Sequence, residues 1–194
     1  MSDRAPIADI TLRPADAADV AEIAGFHVRI WRETYARIAP AEAIAVLDES
    51  RRLSSWVDRF ASSDPRRQTW LARRDSEIVA LLDFGPSSNP VFGDRGEIKH
   101  LYVDRSVRGM GLGRRLMATA FDLLAKAGFA GAGLAVVRQN TGAIGFYQAC
   151  GGREVARFTD PGPIWLSENI VMAWESLDGL GEQRSTGRAE RLFR

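Results

Sequence analysis

The chain is poor in sulfur and nearly balanced in charge, and both facts narrow what it can be. One cysteine, Cys150, excludes an internal disulfide framework and any cysteine-based zinc cluster. With 26 basic and 25 acidic side chains the formal net charge is +1, so there is no global field to draw in nucleic acid or an anionic membrane. Any anion binding must therefore be local. The sequence lacks the uninterrupted apolar stretch of about 18 residues that a membrane span requires, and Met1 to Ala8 contains no apolar run that would serve as a secretory core. No internal repeat is evident. These absences predict a cytoplasmic protein with no metal site, no membrane partner and no nucleic-acid partner.

What is present is ordinary globular material, 45% hydrophobic and 26% charged over 194 residues, enough for one core and hence one domain. Ile10 and Leu12 alternate with polar neighbours as in a half-buried strand ended by Pro14. From Asp16, the residues Val20, Ile23, Ala24, His27, Val28 and Trp31 recur at three- and four-residue spacing, which predicts an amphipathic helix. Pro40 opens a second helical region, continued by Leu53, Trp56, Val57 and Phe60 until Ser62-Ser63-Asp64-Pro65 breaks it. Thr69–Arg73 and Glu77–Phe84 predict a hairpin, and Glu97–Val103 a further strand. Leu112, Leu116, Met117, Ala120, Phe121 and Leu124 mark one face of a helix that stops near Gly128. Leu134–Val137, Thr141–Ala149, Arg153–Phe158 and Glu168–Trp174 follow as strand, helix, strand, strand. The order predicts an α+β chain with a largely antiparallel sheet and one parallel crossover in its middle. The domain is expected over residues 8–176, with a flexible tail over 177–194, where apolar residues are few.

The densest chemical signal is Arg108-Gly109-Met110-Gly111-Leu112-Gly113-Arg114, set between a strand and a helix start. Glycines let a ligand touch backbone amides, and a helix start offers unpaired N–H groups at the positive end of its dipole. Such a turn favours a phosphate or pyrophosphate; a tight turn that only needs positive φ is the plain alternative, made less apt by the flanking arginines. A nucleotide P-loop needs Gly-Lys-Ser/Thr, whereas Gly113 is followed by Arg114-Arg115. A dinucleotide fingerprint begun at Gly109 needs glycine where Arg114 stands, and an acidic residue at the end of the next strand, which Leu134–Val137 does not provide.

Arg108-x-x-Gly111-x-Gly113 after the strand Glu97–Val103 resembles motif A of the GNAT (GCN5-related N-acetyltransferase) superfamily, and Asn140-Thr141-Gly142-Ala143-Ile144-Gly145-Phe146-Tyr147 resembles that superfamily's second signature. The resemblance covers about Glu97 to Gly152. It implies the acyl-CoA N-acyltransferase fold, a mixed sheet of about seven strands with helices on both faces. It further implies that acetyl-CoA lies where the Glu97–Val103 and Leu134–Val137 strands splay apart. Backbone of Leu101, Tyr102 and Val103 would pair with the pantetheine arm, and the amides of Arg108, Gly109, Met110, Gly111, Leu112, Gly113 and Arg114 would hold the pyrophosphate, with Asn140 and Tyr147 on the far wall.

The implied chemistry is direct attack of an amine on the thioester, with Glu97 as general base and Tyr147 as general acid toward the leaving sulfur. A main-chain amide near Leu101 or Tyr102 would meet the thioester carbonyl. His100 is the alternative base; strict alternation sets it on the face of Ile98 and Tyr102, opposite Glu97, unless the strand carries a bulge. His27 is expected in the core or cleft wall, and Cys150 as a buried structural thiol. Trp31, Tyr35, Glu97 and Trp165 are the candidate acceptor-site residues, the first two resembling a run in bacterial relatives and the last on the stiff Asp160–Trp165 loop. Each aromatic also has a plain packing role open to it. Where many relatives have a glycine in the third strand, this chain has Ala80-Leu81-Leu82-Asp83, which puts the width of the acceptor side in question. A CoA-binding sensor, a longer acyl donor, and a monomer or a homodimer all stay open, and the acceptor amine, small molecule or peptide, is not specified by these residues.

Overall fold

The computed structural model describes residues 9–162 and 164–178. Seven strands form one sheet: β1 (Ile10–Pro14), β2 (Gln68–Arg74), β3 (Glu77–Pro86), β4 (Gly96–Val103), β5 (Ala132–Val137), β6 (Arg153–Asp160) and β7 (Ser167–Trp174), in the spatial order β1-β2-β3-β4-β5-β7-β6. All neighbours are antiparallel except β4 and β5. The α-helices are α1 (Val20–Tyr35), α2 (Ala41–Val46), α3 (Glu49–Phe60), α4 (Leu112–Lys126) and α5 (Thr141–Ala149).

The second helical region is two helices, not one. The apolar spacing runs on past Leu47, but Leu47 leaves helical geometry with ψ 108°, and Asp48 caps a new helix by accepting a bond from the Arg51 amide at 2.8 Å. Leu47 is fully buried at that corner, which explains why the break lies there. At the other end, Leu177 packs into the core beside Trp174 although it falls in the expected tail; residues 179–194 of that tail, residue 8 and Pro163 lie outside the described residues.

Two apolar layers sandwich the sheet. On one face Leu112, Leu116, Met117, Ala120 and Leu124 of α4 pack on Ala80, Leu82, Phe84, Ile98, Leu134 and Met172. On the other, Ile23, Ala24, Phe26 and Ile30 of α1 with Trp56 of α3 pack on Leu71, Ile78 and Leu81. The start of α1 is pinned to the sheet edge by Arg13 and Arg73, which both pair with Asp19, holding its carboxyl down at about 2. Among the described residues no helix is long and apolar enough to cross a membrane.

Two irregularities in β4 set up everything that follows. Its parallel pairing with β5 lasts only two positions, Gly96 with Ala132 and Glu97 with Gly133. Its register against β3 slips between Asp83, opposite His100, and Phe84, opposite Ile98, so Lys99 is an extra residue. Without that bulge His100 would share a face with Ile98; with it, Ile98 packs on the α4 side while the His100 and Tyr102 rings sit 4.6 and 5.0 Å from His27 of α1. Glu97, one residue before Ile98, therefore shares the α1 face with His100.

Candidate active site

Beyond Glu97 the β4 and β5 strands part, and a cleft of about 710 Å³ opens between them, lined along one wall by Ile98 to Val103 and along the other by Leu134, Ala135 and Val136. The glycine turn closes one end through Arg108, Gly109, Gly111, Gly113 and Arg114. Gly109 and Gly111 have φ of 75° and 89°, a region in which a side chain is strained, and this lets the turn curl tightly into α4. The Arg115 N–H donates to the Gly111 carbonyl at 3.1 Å, so the amides of Leu112, Gly113 and Arg114 precede the first N–H bonded within the helix and stand at its positive end. The side chains of Leu112 and Met110 go the other way, Leu112 fully buried in the core and Met110 packed against it, so these two residues can serve a ligand only through their backbone. Arg108 Nε donates to the Val103 carbonyl at 2.8 Å, fastening the turn to the strand end and occupying one acceptor that the sequence reading left free.

The far wall is α5. Asn140 caps it, its Oδ1 accepting from the Ala143 amide at 3.3 Å, and both Asn140 and Tyr35 line the cleft. Tyr147 is buried 8% exposed on the cleft side, edge-on to Phe146 at 5.3 Å and to Trp174 at 6.3 Å. Burial raises its hydroxyl well above the ordinary tyrosine value, with the neighbouring Tyr35 and Cys150 acting in the same direction, so it holds its proton at neutral pH. Cys150 is buried too, and its thiol is pushed up by burial, the opposite of an activated nucleophile.

On the α1 side, Trp31, Tyr35 and Trp165 meet in one group with ring centroids 5.0 to 5.5 Å apart, so the three aromatic candidates from distant segments do converge. Tyr35 lines the cleft; Trp31 is mostly packed with Val28, Ala43 and Leu47. Lys99, His100 and Tyr102 also line the cleft, whereas Glu97 sits half-buried at the last paired position, just before the walls part. His27 is 1% exposed, and its Nδ1 accepts from Trp56 Nε1 at 3.2 Å. An indole can only donate, so His27 is neutral with its proton on Nε2, and burial carries its pKa down to about 3. His100 is lowered well below its usual value, by burial first and then by His27, Arg52, Lys99 and Arg59.

Asp83, which raised the question of acceptor-side width, turns inward instead of toward a ligand. It is 2% exposed, with Arg59 Nε and Nη2 at 2.9 and 2.7 Å and the Thr69 hydroxyl at 2.8 Å from its Oδ1. The cluster ties α3 to the sheet directly opposite the bulge.

A strand pair that splays beside a glycine turn at a helix N-terminus, faced by a buried tyrosine, defines a cleft for an extended phosphate-bearing ligand. The acetyltransferase (GNAT) family model matches residues 29–152, and the chain belongs to this family. It is 29% identical to the uncharacterized N-acetyltransferase YuaI of Bacillus subtilis over 178 residues, covering 88% of this chain and 96% of that protein. The fold is that of the PaiA N-acetyltransferase of Thermoplasma acidophilum, solved in complex with coenzyme A, with a TM-score of 0.65 at 20% identity over 84% of this chain and 97% of the other. It is also that of YncA, a putative acetyltransferase of Salmonella typhimurium solved with acetyl-CoA, with a TM-score of 0.62 at 22% identity over 89% and 96%.

Proposed function

We propose that the protein transfers the acetyl group of acetyl-CoA to a primary amine by direct attack, in a ternary complex. The observation that carries this reading is the cleft itself: a strand whose ladder stops after two positions, free amides at the start of α4, and the protonated Tyr147 on one wall. The glycine turn suits the pyrophosphate of CoA, since six residues from Gly109 to Arg114 present backbone without an acidic neighbour in the turn. The exposed edge of β4 at Leu101 and Tyr102 suits the amide-bearing pantetheine arm as an added strand. Both likenesses to proteins solved with coenzyme A or acetyl-CoA support the same donor.

An ammonium must lose a proton before it attacks, and the thiolate that leaves must be met by a donor. Tyr147 keeps its proton and stands in the cleft wall, which fits the second task. Glu97 is the base that the family resemblance supports, and alternation with Ile98 sets it on the α1 face, to which the bulge also brings His100. A second reading, favoured by the cleft lining, gives the proton to His100, whose depressed pKa leaves it neutral and able to accept one. The aromatic group of Trp31, Tyr35 and Trp165 would wall the acceptor.

Thiol release from acetyl-CoA with a panel of amines tests the transfer, and substitution separates the roles. Tyr147→Phe should lower kcat about 10- to 100-fold with CoA affinity kept. Of Glu97→Gln and His100→Gln, the one that removes the base should lower kcat about 100-fold or more. Full turnover in all three variants would refute the assigned chemistry.

A further inference from the structure

Arg52 stands on α3 one turn before Trp56, and so on the same face of the helix. Trp56 is buried with its ring 5.5 Å from His100 and 5.8 Å from His27, so this face of α3 packs behind His100, which itself lines the cleft. The charge of Arg52 is felt there by His27, His100 and Tyr102 alike.

The guanidinium is half-buried, and its Nε is shut off from solvent with no hydrogen-bond partner. Three other arginines in partly buried positions are answered by carboxylates, Arg59 by Asp83, Arg73 by Asp19 and Glu22, and Arg95 by Glu175, while Arg74, also half-buried with an enclosed Nε, has its Nη2 against Met110 Sδ at 3.8 Å. Among the described residues no carboxylate forms an ion pair with Arg52, and burial lowers its pKa. A cation held in a partly dry place without an anion is destabilising, and it is retained where a ligand supplies the missing charge. A guanidinium is also the side chain best shaped to take a carboxylate through two parallel bonds.

We propose that Arg52 binds the carboxylate of the acceptor, so that the amine acetylated here also carries a carboxylate, as an amino acid does, and is not a polyamine or simple alkylamine. The proposal rests on the acetyl-transfer reading above. It explains why a site meant to receive an amine presents a cation: the charge selects against polycations and orients a molecule with opposite charges at its two ends. The Trp31, Tyr35 and Trp165 rings, in the same packed cluster as Tyr102, suit an apolar side chain on that acceptor.

The test uses matched acceptors in the thiol-release assay: phenylalanine with phenethylamine, leucine with isopentylamine, other amino acids with their decarboxylated amines, and spermidine. The wild type should favour the carboxylate-bearing member of each productive pair by about tenfold or more in kcat/KM, the scale of a charge-assisted hydrogen bond. Arg52→Gln should cut that ratio about tenfold, mainly through KM, and Arg52→Lys should retain more of it. Equal or better use of the decarboxylated amines or of spermidine, or a ratio untouched by Arg52→Gln, overturns the carboxylate assignment while acetyl transfer stands. No thiol from any amine, with acetyl-CoA bound, overturns the transfer reading and this one with it.

Discussion

Gly113→Ala separates what the three glycines of the turn do. Gly109 and Gly111 have positive φ, and alanine at Gly111, with φ 89°, costs about 1–2 kcal/mol in backbone strain. Gly113 lies inside α4 and its constraint is space: a Cβ there would come 3.0 Å from Cζ and 3.2 Å from Cε2 of Phe146. Carbon atoms pack at about 3.5–4.0 Å, so the overlap is several tenths of an ångström. Phe146 is half-buried, so its ring gives way before the backbone does. The cost then falls near the low end of the roughly 1–3 kcal/mol for overpacking, and alanine returns up to about 1 kcal/mol of helix propensity. Gly113→Ala should therefore unfold within about 3 °C of the wild type, while Gly111→Ala should be less stable. Binding should part from stability, because Phe146 lines the cleft between Gly113 and Tyr147 and a displaced ring narrows it. Titration calorimetry with CoA should show Gly113→Ala weakened about tenfold, or about 1.4 kcal/mol. Adding Phe146→Leu removes the ring atoms that clash, and the double variant should then bind nearly as well as Phe146→Leu alone. If the tenfold loss persists in the leucine background, ring displacement is not its cause and the reasoning fails.

Breaking the buried Arg59–Asp83 pair by Asp83→Ala should cost about 3 kcal/mol or more, or roughly 6–12 °C in Tm, and Asp83→Ala with Arg59→Met should recover part of it; additive losses by calorimetry would count against the pair. Acid should weaken the fold through His27: its pKa falls from 6.5 unfolded to about 3 folded, so its stabilising share is complete above 6.5 and lost progressively as pH drops toward 3. Each pH unit in that window costs up to about 1.4 kcal/mol, and His27→Asn should flatten the slope of Tm against pH; equal slopes would contradict the buried neutral imidazole.

Much of the cofactor half was legible because its signals are local. The glycine turn, the 3.6-residue spacing of Leu112 to Leu124, and the Asn140 cap each lie within one element, and the structure repeats them. The acceptor half depends on contacts that sequence spacing does not carry. Trp31 and Tyr35 meet Trp165 from across the fold, and the partner of buried Asp83, Arg59, lies on a helix 24 residues earlier, so no local spacing signals the pair. The α2/α3 break has its signals in Asp48, a good cap three residues before the Arg51 amide it accepts from, and in the shift of the apolar residues to another face at Leu53, which reads equally as one helical region continuing. Leu177 reads as tail because one leucine among polar residues has no period; only its packing into the core gives it a place.

The bulge at Lys99 joins the two halves. A regular β4 would turn Ile98, His100 and Tyr102 to one face, leaving either the core short of Ile98 or the acceptor side short of both ring residues. The extra residue changes the phase once, so Ile98, Leu101 and Val103 serve the α4 core while Glu97, His100 and Tyr102 face α1. It also leaves Lys99 without a register partner on β3 at a point where pairing with β5 has already ended. Both candidate bases thus come to the same face by one irregularity, and a pH profile alone does not tell them apart, since the His100 imidazole is held neutral well below the ordinary histidine range by burial and by the cations around it. An acidic limb far below 6.5 is what His100 predicts, so the choice of base falls to comparing Glu97→Gln with His100→Gln, each in a strand whose phase the bulge, and not either side chain, maintains.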